Sequence, residues 1–318
     1  MTILNLMLGR GRGGIEQAAL DYAEALLHAG LPHVTVIQPD AAMQGPIETA
    51  HIPHLLLKNR AEWDPLCTLR LRRLIAREHA SAIIAHGNRA IGLALRASNG
   101  RIPVIAVAHN YKVKRFPRAD AVFAITQDLQ QFLIHSGVAP GRIHLMPNIV
   151  RLPEVPPRAA FHTPPVIGGM GRFVEKKGFE VLIDAVGLLL ARGIRVRCLI
   201  GGDGELRPEL QAKIDRLQLG TSITLTGWVE DKNHFFDGLD LFILPSHHEP
   251  FGIVLIEAMA RGVPVISTMS EGPREIIEQG IQEMEDYYLA ADVLARVRDG
   301  KEQVHSGADV RRDLGLDS

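Results

Sequence analysis

The chain has 318 residues, of which 46% are hydrophobic and 22% charged, and its formal net charge is −1 at pH 7. This length suits two domains, and the composition is typical of a soluble globular protein rather than a disordered or disulfide-rich one. No apolar stretch approaches the roughly 18 to 20 residues that span a bilayer, and Met1 to Gly9 has no basic region typical of a signal peptide. Cys67 and Cys198 are far apart, as expected for buried, reduced thiols in a cytoplasmic protein.

Charge divides unevenly between the two halves of the chain. Residues 1–150 carry a net charge of +6, whereas residues 151–318 carry −7. The cations of the first half concentrate in two segments: Lys58, Arg60, Arg70, Arg72, Arg73 and Arg77, then Lys112, Lys114, Arg115 and Arg118. They form either an ordinary solvated face or a surface that attracts anionic lipid or an anionic acceptor. Nucleic acid is disfavoured, because aromatic residues make up only 5% of the chain.

The chain begins with a predicted strand at Ile3 to Leu8, a glycine-rich turn at Gly9 to Gly14, and a helix from about Ile15 to Ala29. This order is typical of phosphate-binding turns, because glycines let backbone N–H groups approach an anion. The glycine spacing fits a dinucleotide pattern, which alone is a weak signal. No acid stands at the end of the second predicted strand, Val34 to Gln38, where a dinucleotide enzyme would hold the ribose.

Polar residues follow later predicted strands of the first half. His86 ends the strand Ala82 to Ala85, and His109 and Asn110 end the strand Pro103 to Ala108. In open parallel sheets, ligands bind beyond the carboxyl ends of the strands. A histidine at such a place is more often structural than catalytic, so both roles stay open from the residues alone.

A proline-rich stretch divides the chain. Five prolines fall between Pro153 and Pro165, and proline at this density disfavours both helices and central strands. We therefore expect an N-terminal domain at 1–150, a linker at 151–165 and a C-terminal domain at 166–318.

The second half begins with a predicted strand at Val166 to Gly168, a loop containing Arg172 and Lys177, and a helix from Phe179 to about Arg192. By themselves, two cations in a loop are most simply an exposed pair.

The stretch from Leu241 to Ser267 predicts a buried strand, a tight loop, a helix from about Gly252 and another strand. Glu249 lies in the loop, where it is either a ligand-binding acid or a solvated or capping one. Glu257 lies among apolar helix residues and needs a ligand or a salt-bridge partner. The adjacent His247 and His248 do not have metal-ligand spacing.

The segment that contains these two acids resembles the signature of a known protein family. Glu249-Pro250-Phe251-Gly252 followed by Glu257, with seven residues between the acids, resembles the signature of retaining glycosyltransferases of family 4, which have the GT-B architecture. The segment from Gly171 to Gly178 resembles the family's glycine–arginine and lysine–glycine segment. The resemblance covers about residues 3 to 280, and its motifs occur in the family's order.

The resemblance implies an α/β fold with two Rossmann-like, doubly wound parallel-sheet domains, and it implies roles for particular residues. Catalysis would involve His109 near the anomeric region, Glu249 on the sugar hydroxyls, and Arg172 and Lys177 on the diphosphate. The implied donor-binding residues are Gly13, Gly14, Arg172, Lys177, Gly202, Trp228, Val229, Glu249, Phe251, Gly252, Ile253, Val254 and Glu257. His86 and Asn110 would lie on the acceptor side.

The implied activity is retaining transfer from a UDP- or GDP-linked sugar to a saccharide or lipid-linked acceptor, in cell-surface polysaccharide or lipopolysaccharide synthesis. No metal or other cofactor is expected. The expected location is the cytoplasm, and the basic N-terminal domain is the candidate surface for peripheral contact with the inner face of an anionic membrane.

The end of the chain departs from the family pattern. After Gly272 to Ile277, a predicted helix from about Tyr288 to Arg298 and a polar tail replace the family's usual closing segment. This departure keeps open a non-catalytic or degenerate sugar-nucleotide-binding protein of the same fold. An epimerase or phosphorylase has no specific support, and no candidate exists for a phosphorylase's cofactor lysine.

Overall fold

The computed structural model describes residues 2–11, 13–61, 63–112, 114–148 and 161–282. Both sheets belong to one compact unit, Met1–Arg274, and the second unit, Glu275–Ser318, is helical as far as residue 282. Most of the predicted linker and the predicted helix from Tyr288 to Arg298 lie outside the described residues. The domain boundaries at 150 and 166 therefore stay predictions.

The first half forms a sheet of seven parallel strands in the order β3-β2-β1-β4-β5-β6-β7. Its strands are β1 (Thr2–Met7), β2 (His33–Ile37), β3 (His54–Leu56), β4 (Ala80–His86), β5 (Val104–Ala108), β6 (Ala121–Ala124) and β7 (Ile143–Leu145). The central strand β1 pairs with β2 on one side and β4 on the other. Strand order therefore reverses between β1 and β4.

Five helices alternate with these strands: α1 (Gly14–His28), α2 (Gln44–Thr49), α3 (Pro65–Arg77), α4 (Gly87–Ser98) and α5 (Gln127–His135). Side-chain caps fix two of their starts. Asp64 accepts from the backbone N–H of Cys67 at 2.9 Å, with Pro65 in the first helical position of α3. Thr126 accepts from the backbone N–H of Leu129 at 3.2 Å at the start of α5.

The second half forms a sheet of five parallel strands in the order β10-β9-β8-β11-β12. Its elements are β8 (Val166–Met170), α6 (Phe179–Ala191), β9 (Arg197–Gly201), α7 (Arg207–Arg216), β10 (Ile223–Gly227), α8 (Lys232–Asp237), β11 (Leu241–Leu244), α9 (Ile253–Ala260) and β12 (Val265–Ser267). Here strand order reverses between β8 and β11. The two parallel sheets expected from the sequence are confirmed, with strand ends shifted by one or two residues.

Buried apolar side chains hold each sheet to its helices. In the second half, Phe173 packs edge-to-face on Phe179 with ring centroids 5.3 Å apart. Cys67 and Cys198 are both free and fully buried, as expected, and burial raises the pKa of Cys198 to about 12. In the described ranges, no helix combines the length and the apolar character needed to cross a membrane.

Gly178 joins the loop after β8 to the end of β11. Its backbone is left-handed, with φ +62°, and a Cβ at this position would lie 2.1 Å from the carbonyl oxygen of Pro245. Only glycine fits this close approach without a shift of the backbone. The loop that carries Arg172 and Lys177 is therefore held directly against the segment that leads to Glu249.

We predict that Gly178→Ala lowers the melting temperature more than Gly193→Ala does. Gly193 is also left-handed, with φ +76°, but a Cβ there would have no neighbouring atom within 4 Å. Both changes incur the left-handed penalty of about 1 kcal/mol, and only Gly178→Ala adds a backbone clash. Thermal unfolding followed by circular dichroism measures the difference, and equal losses would contradict the close approach.

Candidate active site

The residues singled out by sequence lie at the carboxyl ends of the strands, at or next to the place where strand order reverses in each sheet. In the first sheet they end or follow β1, β4 and β5, and in the second they follow β8, β9, β10 and β11. Ligands of open parallel sheets bind at such switch points, because the loops after the two strands diverge and leave a crevice. Each sheet therefore contributes one group of candidate side chains.

Lys177 and Glu249 form an ion pair in the second group. Lys177 ends a short 3-10 helix, Glu175–Lys177, and its side chain is 17% exposed, whereas that of Glu249 is 13% exposed. Burying either charge alone would cost several kcal/mol, and the partner offsets part of that cost. Glu249 is therefore neither a solvated acid nor a helix cap. The structure brings two of the predicted catalytic residues into direct contact.

Further cations surround this pair. Burial of Lys176 and the neighbouring charge of Lys177 lower the pKa of Lys176. The carboxylate of Glu249 raises this pKa, and the charges of Arg172 and Lys112 lower it further. Lys112, Arg172 and Lys177 thus lie within electrostatic reach of Lys176, as does the carboxylate of Glu249. Such an excess of positive charge, partly removed from water, favours a bound anion. Neither Lys176 nor Lys112 was assigned to the site from the sequence.

The backbone around Glu249 is fixed by a residue that the sequence did not reveal. Glu271 accepts from the backbone N–H of Glu249 at 3.1 Å and lies 3.1 Å from Nδ1 of His248. Burial alone would raise the pKa of Glu271, but the hydrogen bonds it accepts lower it below its ordinary value. The N–H of Gly272 donates to the carbonyl of Glu249 at 2.9 Å. These contacts fix the backbone at Glu249, and the ion pair with Lys177 holds its side chain.

The neighbouring histidines have carboxylate partners of their own. His247 Nε2 lies 2.8 Å from Glu180 Oε1, and His248 is paired with Glu271. Among the residues that the structure describes, no three His, Cys, Asp or Glu side chains come together as metal ligands would.

Helix α9 begins beside Glu249. Gly252, with φ +94°, precedes it, and neither a side-chain cap nor an acid occupies its first turn. Its first backbone N–H groups are therefore available to an anion. One turn further on, Glu257 Oε1 accepts from Lys232 Nζ at 2.6 Å, while Glu257 Oε2 is buried without a hydrogen-bond partner. Glu257 thus has the salt-bridge partner that was one of the two alternatives predicted from the sequence. The other oxygen of its carboxylate remains without a partner in the described structure.

The remaining predicted donor residues lie at the ends of neighbouring strands. Gly202, with φ +137°, approaches the carbonyl oxygen of Gly171 so closely that a Cβ would lie 1.8 Å from it. Val229 packs over Gly201, and Trp228 beside it is half-exposed. The buried Phe251 and the partly buried Val254 flank the start of α9.

The glycine loop of the first half faces the second group. A Cβ on Gly13 would lie 3.6 Å from Arg172 Nη2, and one on Gly14 would lie 3.8 Å from Ile253 Cδ1. Glu16 Oε2 accepts from the backbone N–H of Gly13 at 3.1 Å. The predicted donor-side glycines are thus in van der Waals reach of two other predicted donor residues.

A hydrogen-bonded chain organises the first group. Asn5 Nδ2 donates to the carbonyl of Ala19 at 2.8 Å, and Asn5 Oδ1 lies 2.9 Å from His86 Nε2. The other ring nitrogen of His86, Nδ1, lies 3.0 Å from His109 Nε2. Because Asn5 Oδ1 only accepts, His86 Nε2 must carry a proton and donate it. His86 Nδ1 then accepts from the Nε2–H of His109. The chain assigns the tautomer of His109, with Nδ1 unprotonated.

Both histidines of this chain are uncharged at neutral pH. Burial lowers the pKa of His109 to about 4. Burial, with a smaller effect of His109, lowers the pKa of His86 well below its ordinary value. Next to His109, the side chain of Asn110 accepts from the backbone N–H of Lys112 at 3.0 Å. No described hydrogen bond or ion pair links the His86–His109 pair to Lys177 and Glu249.

Two family profiles match the chain. One described as Glycosyltransferase Family 4 matches residues 12–153, and one described as Glycosyl transferases group 1 matches residues 153–296. The lipopolysaccharide core biosynthesis glycosyltransferase LpsE of Rhizobium meliloti (strain 1021) is 30% identical over 287 residues, which cover 88% of this chain and 82% of LpsE. LpsD of the same organism is 37% identical over 137 residues, or 41% of this chain and 38% of LpsD.

Solved structures share the fold. Anabaena Alr3699/HepE in complex with UDP and glucose has a TM-score of 0.74 at 23% identity, over 86% of this chain and 82% of HepE. The lipopolysaccharide outer core galactosyltransferase WaaB, in its apo form, has a TM-score of 0.66 at 19% identity, over 86% and 82% of the two chains. The predicted GT-B fold is confirmed.

We predict that the free energy of unfolding falls less between pH 6.5 and pH 4 in His109→Gln than in the wild type. An unfolded histidine titrates near pH 6.5, and the pKa of His109 in the fold is about 4. The unfolded chain therefore binds more protons between these values, and this histidine's contribution to stability is present above pH 6.5 and lost as pH falls towards 4. Urea unfolding at several pH values measures the slope of the free energy of unfolding against pH.

Two comparisons isolate this effect. Burial raises the pKa of Asp21 to about 6, which acts in the opposite direction but is common to wild type and variant. His135→Gln, a change at an exposed position at the end of α5, is expected to keep the wild-type slope. Identical slopes for His109→Gln and wild type would contradict a neutral, buried His109.

Proposed function

The chain belongs to the glycosyltransferases of family 4, also described as glycosyl transferases group 1, and on that premise we propose that it transfers a sugar from a nucleotide diphosphate sugar. The proposed acceptor is a saccharide or a lipid-linked saccharide of cell-surface polysaccharide or lipopolysaccharide synthesis. LpsE, a relative across most of the chain, is named for lipopolysaccharide core biosynthesis. We further propose that the sugar is a hexose linked to UDP or GDP and that transfer retains the anomeric configuration.

The observation that carries this proposal is the group of cations around Glu249. As the glycosidic bond breaks, negative charge grows on the departing diphosphate, and the sugar becomes oxocarbenium-like. Arg172, Lys176 and Lys177 stand where such charge would be stabilised, and the uncapped start of α9 adds N–H donors. The guanidinium of arginine can donate hydrogen bonds to two phosphate oxygens at once, whereas the ammonium of lysine acts as a point charge. This arrangement favours a reaction that needs no metal.

The carboxylates have separate proposed tasks. Glu249, with its backbone held by Glu271, orients the hydroxyls of the transferred sugar. Glu257 Oε2, which is buried and unpartnered in the described structure, accepts a hydrogen bond from the ribose. The backbone at Trp228 and Val229 then receives the base.

His109 has the proposed position near the anomeric carbon. Its Nε2–H is directed to His86, so its unprotonated Nδ1 is the free acceptor for a sugar hydroxyl. A neutral imidazole also avoids placing a further cation beside an oxocarbenium-like centre. The glycine loop at Gly13 and Gly14, next to Arg172 and Ile253, helps to exclude water from the donor.

We also propose peripheral contact of helix α3 with an anionic membrane at the inner face of the cell membrane, in a cytoplasmic protein. Trp63 and Leu66 are 72% and 64% exposed. Leu69, Arg70 and Arg73 are exposed on the same face of the helix as Leu66. Exposed apolar side chains with adjacent cations are typical of surfaces that bind anionic lipid.

We predict donor-dependent release of a nucleoside diphosphate that falls about 100-fold or more in Lys177→Ala and in Glu249→Ala, because each change removes a group held against the donor. A thermal-shift screen with UDP-, GDP- and ADP-sugars first identifies the donor. Glu209→Ala, at an exposed acid on α7, is the control and keeps wild-type activity.

Two further results are expected of the wild-type chain. Chelation of metal ions by EDTA leaves the rate of transfer unchanged, and NMR of the product shows the retained anomer.

Two results would count against this proposal. Release that survives both substitutions would place the chemistry elsewhere. Donor binding without any transfer or hydrolysis would favour the non-catalytic sugar-nucleotide-binding protein instead.

For the membrane contact, we predict that Leu66→Ser reduces cosedimentation with phosphatidylglycerol vesicles and that added salt reduces it further. Leu188→Ser is the matched control, because Leu188 is 62% exposed on α6 of the second half. Equal binding by both variants would argue against α3 as the docking surface.

A further inference from the structure

A cavity of about 630 Å³ lies at the switch point of the first sheet, beyond the ends of β1, β2 and β4. None of the residues around Glu249 lines it. Besides His86, its polar lining residues are Arg10, Gln38, Asn59, Arg60, Asn88 and Arg89, which come from four segments of the first half.

A buried glutamine holds part of this lining in place. Gln38 is 1% exposed, and its Nε2 donates to the carbonyl of Leu8 at 2.8 Å. Gln38 Oε1 accepts from the backbone N–H of Asn59 at 3.1 Å and from Arg10 Nη2 at 3.4 Å. The loops after β1 and β3 are thus joined, and the guanidinium of Arg10 is held at the cavity wall.

Three arginines line the cavity: Arg10, Arg60 and Arg89. Arg77, Arg207 and Arg261 have carboxylate partners, whereas the three lining arginines have none among the described residues. The nearby acids are engaged by backbone groups: Asp64 accepts the N–H of Arg60, and Glu16 accepts that of Gly13.

Helix α4 adds to this positive field. His86 precedes it without a side-chain cap, and its first turn contains no acid. The first-turn residues Gly87, Asn88, Arg89 and Ala90 all line the cavity. The partial positive charge of this helix start therefore acts together with the arginines.

The cavity also touches the hydrogen-bonded histidines. His86 lines it, and His86 Nδ1 lies 3.0 Å from His109 Nε2. A molecule in the cavity is therefore separated by one side chain from the histidine that the proposed function assigns to the anomeric region.

From this juxtaposition we propose that the cavity binds the acceptor and selects a saccharide that carries a phosphate or carboxylate group. This inference rests on the proposed function. The paired N–H groups of Arg60 and Arg89 match the oxygens of either anion. Asn59 and Asn88 line the cavity beside them, and their side-chain oxygens, which have no hydrogen-bond partner in the described structure, can accept hydrogen bonds from sugar hydroxyls.

The test measures binding of four probes to the full chain by ligand-observed NMR titration: glucose 6-phosphate, glucuronate, glucose and inorganic phosphate. We expect at least one acidic sugar to bind about 10-fold or more tightly than glucose, since charge-assisted hydrogen bonds are stronger than hydrogen bonds between neutral groups. In the double variant Arg60→Gln/Arg89→Gln this preference is lost. Arg142→Gln, at an exposed position of the same half, keeps it.

Three results would overturn the assignment. Glucose binding as tightly as both acidic sugars would remove the selection for an anion. Inorganic phosphate binding as tightly as glucose 6-phosphate would show an anion site without a sugar subsite. A preference that survives the double variant would place the anion elsewhere.

Nucleotide-sugar binding by the wild-type chain, measured in parallel, separates this inference from the proposed function. If a nucleotide sugar binds and the acidic sugars show no preference, the cavity assignment falls and the proposed function stands. If acidic sugars bind and no nucleotide sugar does, the proposed function falls, and the acceptor role of the cavity falls with it.

Discussion

The contact between Lys177 and Glu249 is the constraint on which the second sheet's site depends. Each charge is mostly removed from water, so neither group is stable there without the other. Gly178 makes the contact geometrically available by letting its own backbone meet Pro245. Glu271 then fixes the backbone on the other side of Glu249. The pair also fixes Glu249 beside Lys176, which lies within electrostatic reach of Arg172 and Lys112 as well.

The doubly wound topology explains why the chemistry divides into two groups. Each sheet has one position where strand order reverses, and each reversal leaves a crevice at the carboxyl ends of two strands. The crevice of the second sheet contains the cations, the two acids and a helix start. That of the first sheet contains the neutral histidines and the arginine-lined cavity. The glycine loop after β1 links the groups, since Gly13 and Gly14 lie next to Arg172 and Ile253.

The strands, the glycine turns and the acids are predictable from the sequence, because each depends on a local pattern of residues. Apolar runs predict buried parallel strands, and polar residues directly after them predict the ligand edge. Sequence could not find the partners across the fold. Nothing near Lys232 indicates that it pairs with Glu257, and nothing near Asn5 indicates that it sets the proton positions of His86 and His109. Those pairings join residues 25 and 81 positions apart, and they follow from sheet order rather than from local spacing. The role of Glu271 was missed for the same reason.

The most direct test is calorimetric comparison of a nucleoside diphosphate with its unphosphorylated nucleoside, for whichever base binds. If the cations around Glu249 receive the diphosphate, the diphosphate binds about 100-fold or more tightly than the nucleoside, and added salt reduces that difference. Equal affinities at low and high salt would contradict a site arranged around the charge of a leaving diphosphate.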